Sequence, residues 1–252
     1  MERITSRKNA YITHLRSVSR DAEYRNAAGE YLCDGLKLFQ EAVAFGAEIT
    51  SVLWKESAME EFAETAGTRQ YCTPDELFAY ASPMQNSPGP LFTVKIPEQK
   101  DETEIRKAIV LENVQDPGNV GTVIRTANAF GIDAVILTGA CADLYNPKTV
   151  RSTMGAIFRQ RVMYRDLEGL RRVLKSNCLK MYGAVLSDRA VSVLDMDVCT
   201  CAVAVGSEGK GLSWQMRDLC DGEIIIPMEP CSESLNAAVA ASVLMWEMRG
   251  RK

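Results

Sequence analysis

The sequence predicts an α/β protein in two parts: a small α/β domain over residues 1–97, then a domain built on a mostly parallel sheet over residues 105–252. Three observations predict it. Strand-like apolar runs alternate with helical patterns through the C-terminal part, which is the signature of a parallel sheet with helices on both faces. The N-terminal part mixes both kinds of segment on a smaller scale. Between them, the strand-like run Leu91–Ile96 gives way to the polar stretch Pro97–Glu104, whose composition suits a linker.

In the N-terminal part, Leu36, Phe39 and Val43 recur at helical spacing within Gly35–Phe45, and Ile49–Trp54 reads as a strand. Thr73-Pro74-Asp75-Glu76 has the form of a helix start, with Thr73 as cap, Pro74 in the first turn and Glu76 closing a capping box. Ser82–Pro90 is dense in turn formers. In the C-terminal part, strands are expected at Ile109–Asn113, Ala134–Thr138, Arg161–Tyr164, Met181–Leu186, Cys201–Gly206 and Glu223–Pro227. Ligands of such sheets bind beyond the carboxyl ends of the strands. The residues that follow these runs are therefore the candidates for chemistry.

The 252 residues carry a net charge of −4, so the chain as a whole is no basic nucleic-acid binder. Positive charge is local instead. One basic segment lies within the first 25 residues, and another holds Lys148, Arg151, Arg159, Arg161 and Arg165. Together they suit a phosphate-binding surface on an otherwise acidic protein, although each alone reads as a solvated face. No apolar run approaches the roughly 18 residues that span a bilayer, and the polar N-terminus lacks a signal-peptide core, so a cytoplasmic protein is expected. The eight cysteines form no C-x-x-C pair, which counts against a zinc site and fits reduced thiols packed as small hydrophobes. The single histidine, His14, reads as a surface or loop residue, and its isolation counts against His-dependent triads and metal sites. No metal is expected.

Three segments carry candidate chemistry. The first runs from Asn113 through Gly131. It follows a strand, turns at Asp116-Pro117-Gly118 and enters a helix that Asn119 can cap and Gly131 can end. Val120, Val123, Ile124 and Ala127 share one face, and Arg125 lies off it. The second is Gly206-Ser207-Glu208-Gly209-Lys210-Gly211-Leu212-Ser213, whose glycines let backbone approach a ligand. It has neither Walker A nor G-x-G-x-x-G spacing, which argues against a dinucleotide enzyme. The third is Ile226-Pro227-Met228 through Ser234-Leu235-Asn236, followed by a thin, alanine-rich helix reaching about Met248, with Leu235, Val239, Val243 and Trp246 as its apolar face. Ser234 and Asn236 are capping types, and capping alone would account for both.

In this order the three segments resemble the SpoU/TrmH family of the SPOUT superfamily of RNA methyltransferases, with Asn146–Ala156 similar to the intermediate family segment. The N-terminal part is similar to the family's small L30e-like substrate-binding domain, through Ile12…Leu15, Tyr31-Leu32-Cys33-Asp34-Gly35 and Glu41-Ala42. Two departures stand out: Pro230 where the family usually has glycine, and Asp34 where it usually has glutamate.

The resemblance implies a parallel sheet whose C-terminal part forms a trefoil knot, and a homodimer with its active site at the dimer interface. It implies transfer of a methyl group from S-adenosylmethionine to a ribose 2′-hydroxyl of rRNA or tRNA. By resemblance, Arg125, Asn119, Glu208, Ser234 and Asn236 are catalytic candidates. Thr138, Gly139, Gly206, Ile226, Met228, Ser234 and Leu235 are cofactor candidates, and Arg7, Lys8, Arg16, Lys148 and Arg151 form the RNA surface. A guanidinium with a pKa above roughly 12 is a poor base, so Arg125 is expected to grip phosphate and orient the nucleophile. A base-methylating relative and a catalytically silent RNA-binding protein remain as alternatives at this point.

Overall fold

The computed structural model describes residues 1–61, 67–98, 104–229 and 234–250. Pro230, and residues 99–103 of the expected linker, lie outside them. In chain order the elements are β1 (Glu2–Arg3), α1 (Ala10–Arg20), α2 (Ala22–Ala28), β2 (Glu30–Asp34), α3 (Leu36–Ala44), β3 (Ile49–Lys55), β4 (Arg69–Thr73), α4 (Asp75–Ala81) and β5 (Leu91–Lys95). Then come β6 (Ala108–Glu112), α5 (Pro117–Phe130), β7 (Ala134–Thr138), α6 (Pro147–Ser152), β8 (Val162–Tyr164), α7 (Leu167–Ser176) and β9 (Met181–Ala184). The last are β10 (Val191–Ser192), β11 (Ala202–Val205), α8 (Trp214–Leu219), β12 (Gly222–Ile225) and α9 (Ala237–Met248). They fall into two units, one of Met1–Glu98 with Asp143–Phe158, the other of Gln99–Ala142 with Arg159–Lys252.

The first unit holds a five-stranded sheet in the order β1-β4-β3-β5-β2, with β5 antiparallel to both its neighbours. Phe39 meets Trp54 and Phe92 edge-on, each with ring centroids 5.4 Å apart, and this aromatic cluster anchors one face of the core. Arg25 is buried, donating to the carbonyl of Val18 and pairing with Asp143. Two local expectations change here. Thr73 ends β4 and spends its hydroxyl on the carbonyl of Ile4 at 2.8 Å, so α4 begins after Pro74 without a side-chain cap. His14 is helical and half-buried: Nε2 lies 2.8 Å from the Glu30 carboxylate and Nδ1 3.0 Å from the Tyr24 hydroxyl.

The second unit holds a seven-stranded sheet in the order β10-β12-β9-β11-β6-β7-β8. Every pair in it is parallel. Its central strands, with Ile109, Val110 and Leu111 on β6 and Val203 and Ala204 on β11, are fully buried. That is why they read as continuous apolar runs rather than as alternation. The carboxyl ends of β6, β7, β11 and β12 lead directly into Asn113, Gly139, Gly206 and Ile226. α9 is apolar on nearly every side, with Ser242 and Glu247 as its polar residues: Ala237, Ala238, Ala241, Leu244, Met245 and Met248 face inward. Val239, Val243 and Trp246, expected as its apolar face, point outward. No helix among the described residues is long and apolar enough to cross a membrane.

Candidate active site

The segment after β6 turns on Asp116, whose Oδ1 accepts the amide of Asn119 at 3.0 Å and so caps α5. Pro117 occupies the first helical position, where its missing N–H costs nothing. Asn119, expected as the cap, is thereby one turn inside the helix with its side chain released. Its Nδ2 donates to Glu208 Oε1 at 2.5 Å. At the far end, Gly131 closes α5 in the left-handed conformation with φ 69°.

Glu208 belongs to the tight loop that follows β11. A Cβ on Gly206 would fall on the backbone of Gly211 and Leu212, so only glycine lets the two strands of the loop meet. The amide of Gly211 donates to the carbonyl of Ser207 at 2.8 Å, and Gly211 turns with φ 62°. Ser213 ends the loop by capping α8, its Oγ accepting from the Met216 amide at 3.1 Å.

The third segment enters through Asn236. Its Oδ1 caps α9 by accepting from Ala238 and Val239 at 2.9 and 3.2 Å. Its Nδ2 donates to Asn119 Oδ1 at 3.2 Å. Asn119 thus accepts from Asn236 and donates to Glu208, so three side chains from three separate segments form one directed chain ending on a carboxylate. Capping and site membership coexist in Asn236 because its amide has two polar ends.

Beside this chain is a cavity of about 330 Å³, at the small end of the range for ligand pockets. Gly206, Ser207, Glu208, Ile226, Met228, Ser234 and Leu235 line it, together with Leu186, Lys210 and Arg217, which sequence reasoning passed over. Arg217 bonds to Glu223 and holds that carboxyl below its ordinary pKa. Thr138 ends β7, Gly139 follows it, and neither lines the cavity. The apolar walls suit an adenosyl group, and the exposed backbone of the glycine loop offers polar groups at close range. The residues present therefore fit S-adenosylmethionine.

Arg125 is exposed on α5 and has no ion-pair or hydrogen-bond partner among the described residues, the Glu208–Asn119–Asn236 chain included. The basic candidates of the first unit divide. Arg16 stacks on Tyr80 at 3.9 Å and donates to its carbonyl, so much of its binding capacity is already used. Arg7 lies over the same ring at 4.7 Å but stays exposed. Lys8, Lys148 and Arg151 are exposed as well, with Arg151 Nη1 3.1 Å from Met84 Sδ.

A parallel α/β unit with a glycine-cradled, largely apolar pocket beyond its strand ends suits an enzyme that binds an adenosyl cofactor. Residues 106–246 match the SpoU rRNA Methylase family, and the chain belongs to that family. It is 32% identical over 250 residues to the 23S rRNA (guanosine(2553)-2′-O)-methyltransferase RlmP of Bacillus subtilis, covering 99% of this chain and 100% of that one. It is 29% identical to the 23S rRNA (uridine(2479)-2′-O)-methyltransferase of Streptomyces viridochromogenes, covering 97% of this chain and 91% of that one. The SpoU methyltransferase AviRb from S. viridochromogenes, solved in complex with the cofactor AdoMet, superposes with a TM-score of 0.84 at 25% identity. That superposition covers 96% of this chain and 98% of the other.

Proposed function

We propose that this chain transfers a methyl group from S-adenosylmethionine to a ribose 2′-hydroxyl of large-subunit ribosomal RNA. The observation that carries the reading is the Glu208–Asn119–Asn236 chain, assembled from all three family segments beside the cavity. Gly206, Ile226, Met228, Ser234 and Leu235 would hold the cofactor, with Thr138 and Gly139 bounding the neighbouring loop. When bound, S-adenosylmethionine supplies an electrophilic methyl group, so the protein has only to orient the hydroxyl and help remove its proton. Arg125 presents a planar fork suited to phosphate and positions the nucleophile. Arg7, Lys8 and Arg16, from an L30e-like domain over residues 1–97 that precedes the catalytic domain of 105–252, bind the RNA backbone together with Lys148 and Arg151. A trefoil knot over the C-terminal segments and a cytoplasmic location belong to the same reading.

The choice of ribosomal over transfer RNA rests on the two relatives whose names specify 23S rRNA. Incubation with ribosomal RNA and labelled S-adenosylmethionine, followed by alkaline hydrolysis, tests the reading, because a 2′-O-methyl group blocks cleavage at its site. Label incorporation without a block means base methylation, and no incorporation means a silent RNA-binding protein. The enzyme works as a homodimer in this reading, with Arg125 completing a site across the interface. The outward Val239, Val243 and Trp246, 36–49% exposed, give a second copy an apolar surface to cover. Trp246→Glu is expected to yield monomers in sedimentation; a dimer of unchanged affinity refutes that face.

A further inference from the structure

A buried carboxylate sits at the centre of the sheet, and the chemistry above leaves it without a role. Glu112 ends β6, between β11 and β7, and is only 5% exposed. Both its oxygens serve one residue: Oε2 accepts the backbone amide of Ser213 at 2.7 Å, and Oε1 accepts the Ser213 hydroxyl at 2.6 Å. A carboxylate removed from water is costly without strong donors, and two charge-assisted hydrogen bonds offset that cost. Ser213 closes the loop that begins at Gly206 and carries Glu208, so Glu112 fixes the far end of that loop to the central strand.

The next residue serves the opposite neighbour. Asn113 takes a left-handed backbone with φ 56°, and its Oδ1 accepts the amide of Ala140 at 2.8 Å. Gly139, itself at φ 65°, lies so close to that amide oxygen that a Cβ would collide with it. Asparagine tolerates this backbone better than most residues, which leaves its side chain free to hold the loop after β7.

We infer that Glu112 is a positioning residue that pins the loop after β11 to the end of β6 and so sets the affinity for S-adenosylmethionine, while Asn113 holds the loop after β7, which does not line the cavity. The inference rests on the cofactor reading given above. It concerns how the pocket is held in shape and assigns neither residue a contact with substrate.

The test is isothermal titration of S-adenosylmethionine into the full chain, with steady-state methylation and thermal melting alongside. Glu112→Ala is expected to weaken binding at least tenfold. Ser213→Ala keeps the backbone donor and is expected to weaken it three- to tenfold. Asn113→Gly keeps the left-handed backbone, removes only the amide that holds the loop outside the cavity, and is expected to bind within twofold of wild type. In Glu112→Ala and Ser213→Ala KM for the cofactor should rise by more than kcat falls, at temperatures where melting shows the protein folded. A role in stability alone would lower the melting temperature and leave KM unmoved. A folded Glu112→Ala protein that binds within twofold of wild type, or a folded Asn113→Gly protein weakened as much as Glu112→Ala, overturns the inference. If Glu112→Ala does not fold, Ser213→Ala removes part of the same bond from the other side, and its binding within twofold of wild type overturns the Glu112 half. Wild type that binds no S-adenosylmethionine overturns the cofactor reading, and this inference with it.

Discussion

Asn236 donates to Asn119 at 3.2 Å through one end of its amide while the other end caps α9. The two tasks can be separated. Asn236→Asp keeps the capping oxygen and places a negative charge at a helix N-terminus, where it is welcome, but removes the donor to Asn119. Its melting temperature should stay close to wild type while methyl transfer falls at least tenfold. Asn236→Ala should lose both, with about 1 kcal/mol of stability gone along with the activity. Melting curves and single-turnover rates on the two variants check this; equal activity in Asn236→Asp and wild type refutes a site role for the amide.

Arg125 is exposed on α5 and makes no hydrogen bond or ion pair among the described residues. Its removal should therefore leave stability within about 0.5 kcal/mol of wild type. Activity should nevertheless fall at least a hundredfold in Arg125→Ala, and Arg125→Lys should recover little, because an ammonium cannot reproduce the planar fork. Methylation by Arg125→Ala within a few-fold of wild type would show that the guanidinium neither grips phosphate nor orients the nucleophile.

Much of this site was legible because helical spacing and strand ends constrain it. Val120, Val123, Ile124 and Ala127 mark the buried side of α5, and all four are buried. The start of that helix was harder to read, since Asp116 and Asn119 are both capping types. Pro117 decides the matter, because its fixed φ favours the first helical position and leaves Asp116 as the cap. Thr73 misled for a different reason: a hydroxyl bonds whichever acceptor tertiary structure offers, here Ile4 across the pairing of β1 with β4. The two-residue β1 is itself too short to leave a periodic signal. α9 was recognisable as a helix but not orientable, because a helix with only Ser242 and Glu247 among apolar residues has no continuous polar face to mark solvent. Glu112 was invisible as a positioning residue, since its partner lies 101 residues away.

In the first unit, Glu30 couples stability to pH. Burial alone would raise its pKa, but hydrogen bonds from His14, Thr50 and Thr93, with the nearby His14 charge, outweigh burial and hold the carboxyl below its ordinary value near 4.5. A depressed folded pKa means that the ionised form stabilises the fold above about pH 4.5, and that this contribution is lost as pH falls through the lower folded value. The stability gap between wild type and Glu30→Gln should be open above pH 4.5 and close on acidification below it. Its size should stay near or below about 1 kcal/mol, because both members of the His14–Glu30 pair keep some exposure. Urea titrations at several pH values measure it, and a gap that widens toward acid contradicts the assignment.

Two glycines of the loop after β11 should respond oppositely to the same change. A Cβ on Gly206 would strike the carbonyl of Gly211 and the amide of Leu212, which are backbone atoms with nowhere to go. Gly206→Ala must therefore open the turn, at a cost of about 1–3 kcal/mol for overpacking. Opening it moves Glu208 away from Asn119 and distorts the wall of the cavity, so affinity for S-adenosylmethionine should drop at least tenfold. Gly209 lies at the tip of the same loop, has nothing within 4 Å of its Cβ position and does not line the cavity. Gly209→Ala should melt within a degree or two of wild type and bind the cofactor within about twofold, since surface changes away from packing cost little. Comparing the pair by calorimetry separates a close backbone approach from a general need for flexibility: equal losses in both variants would favour flexibility, and a loss confined to Gly206→Ala favours the closed turn.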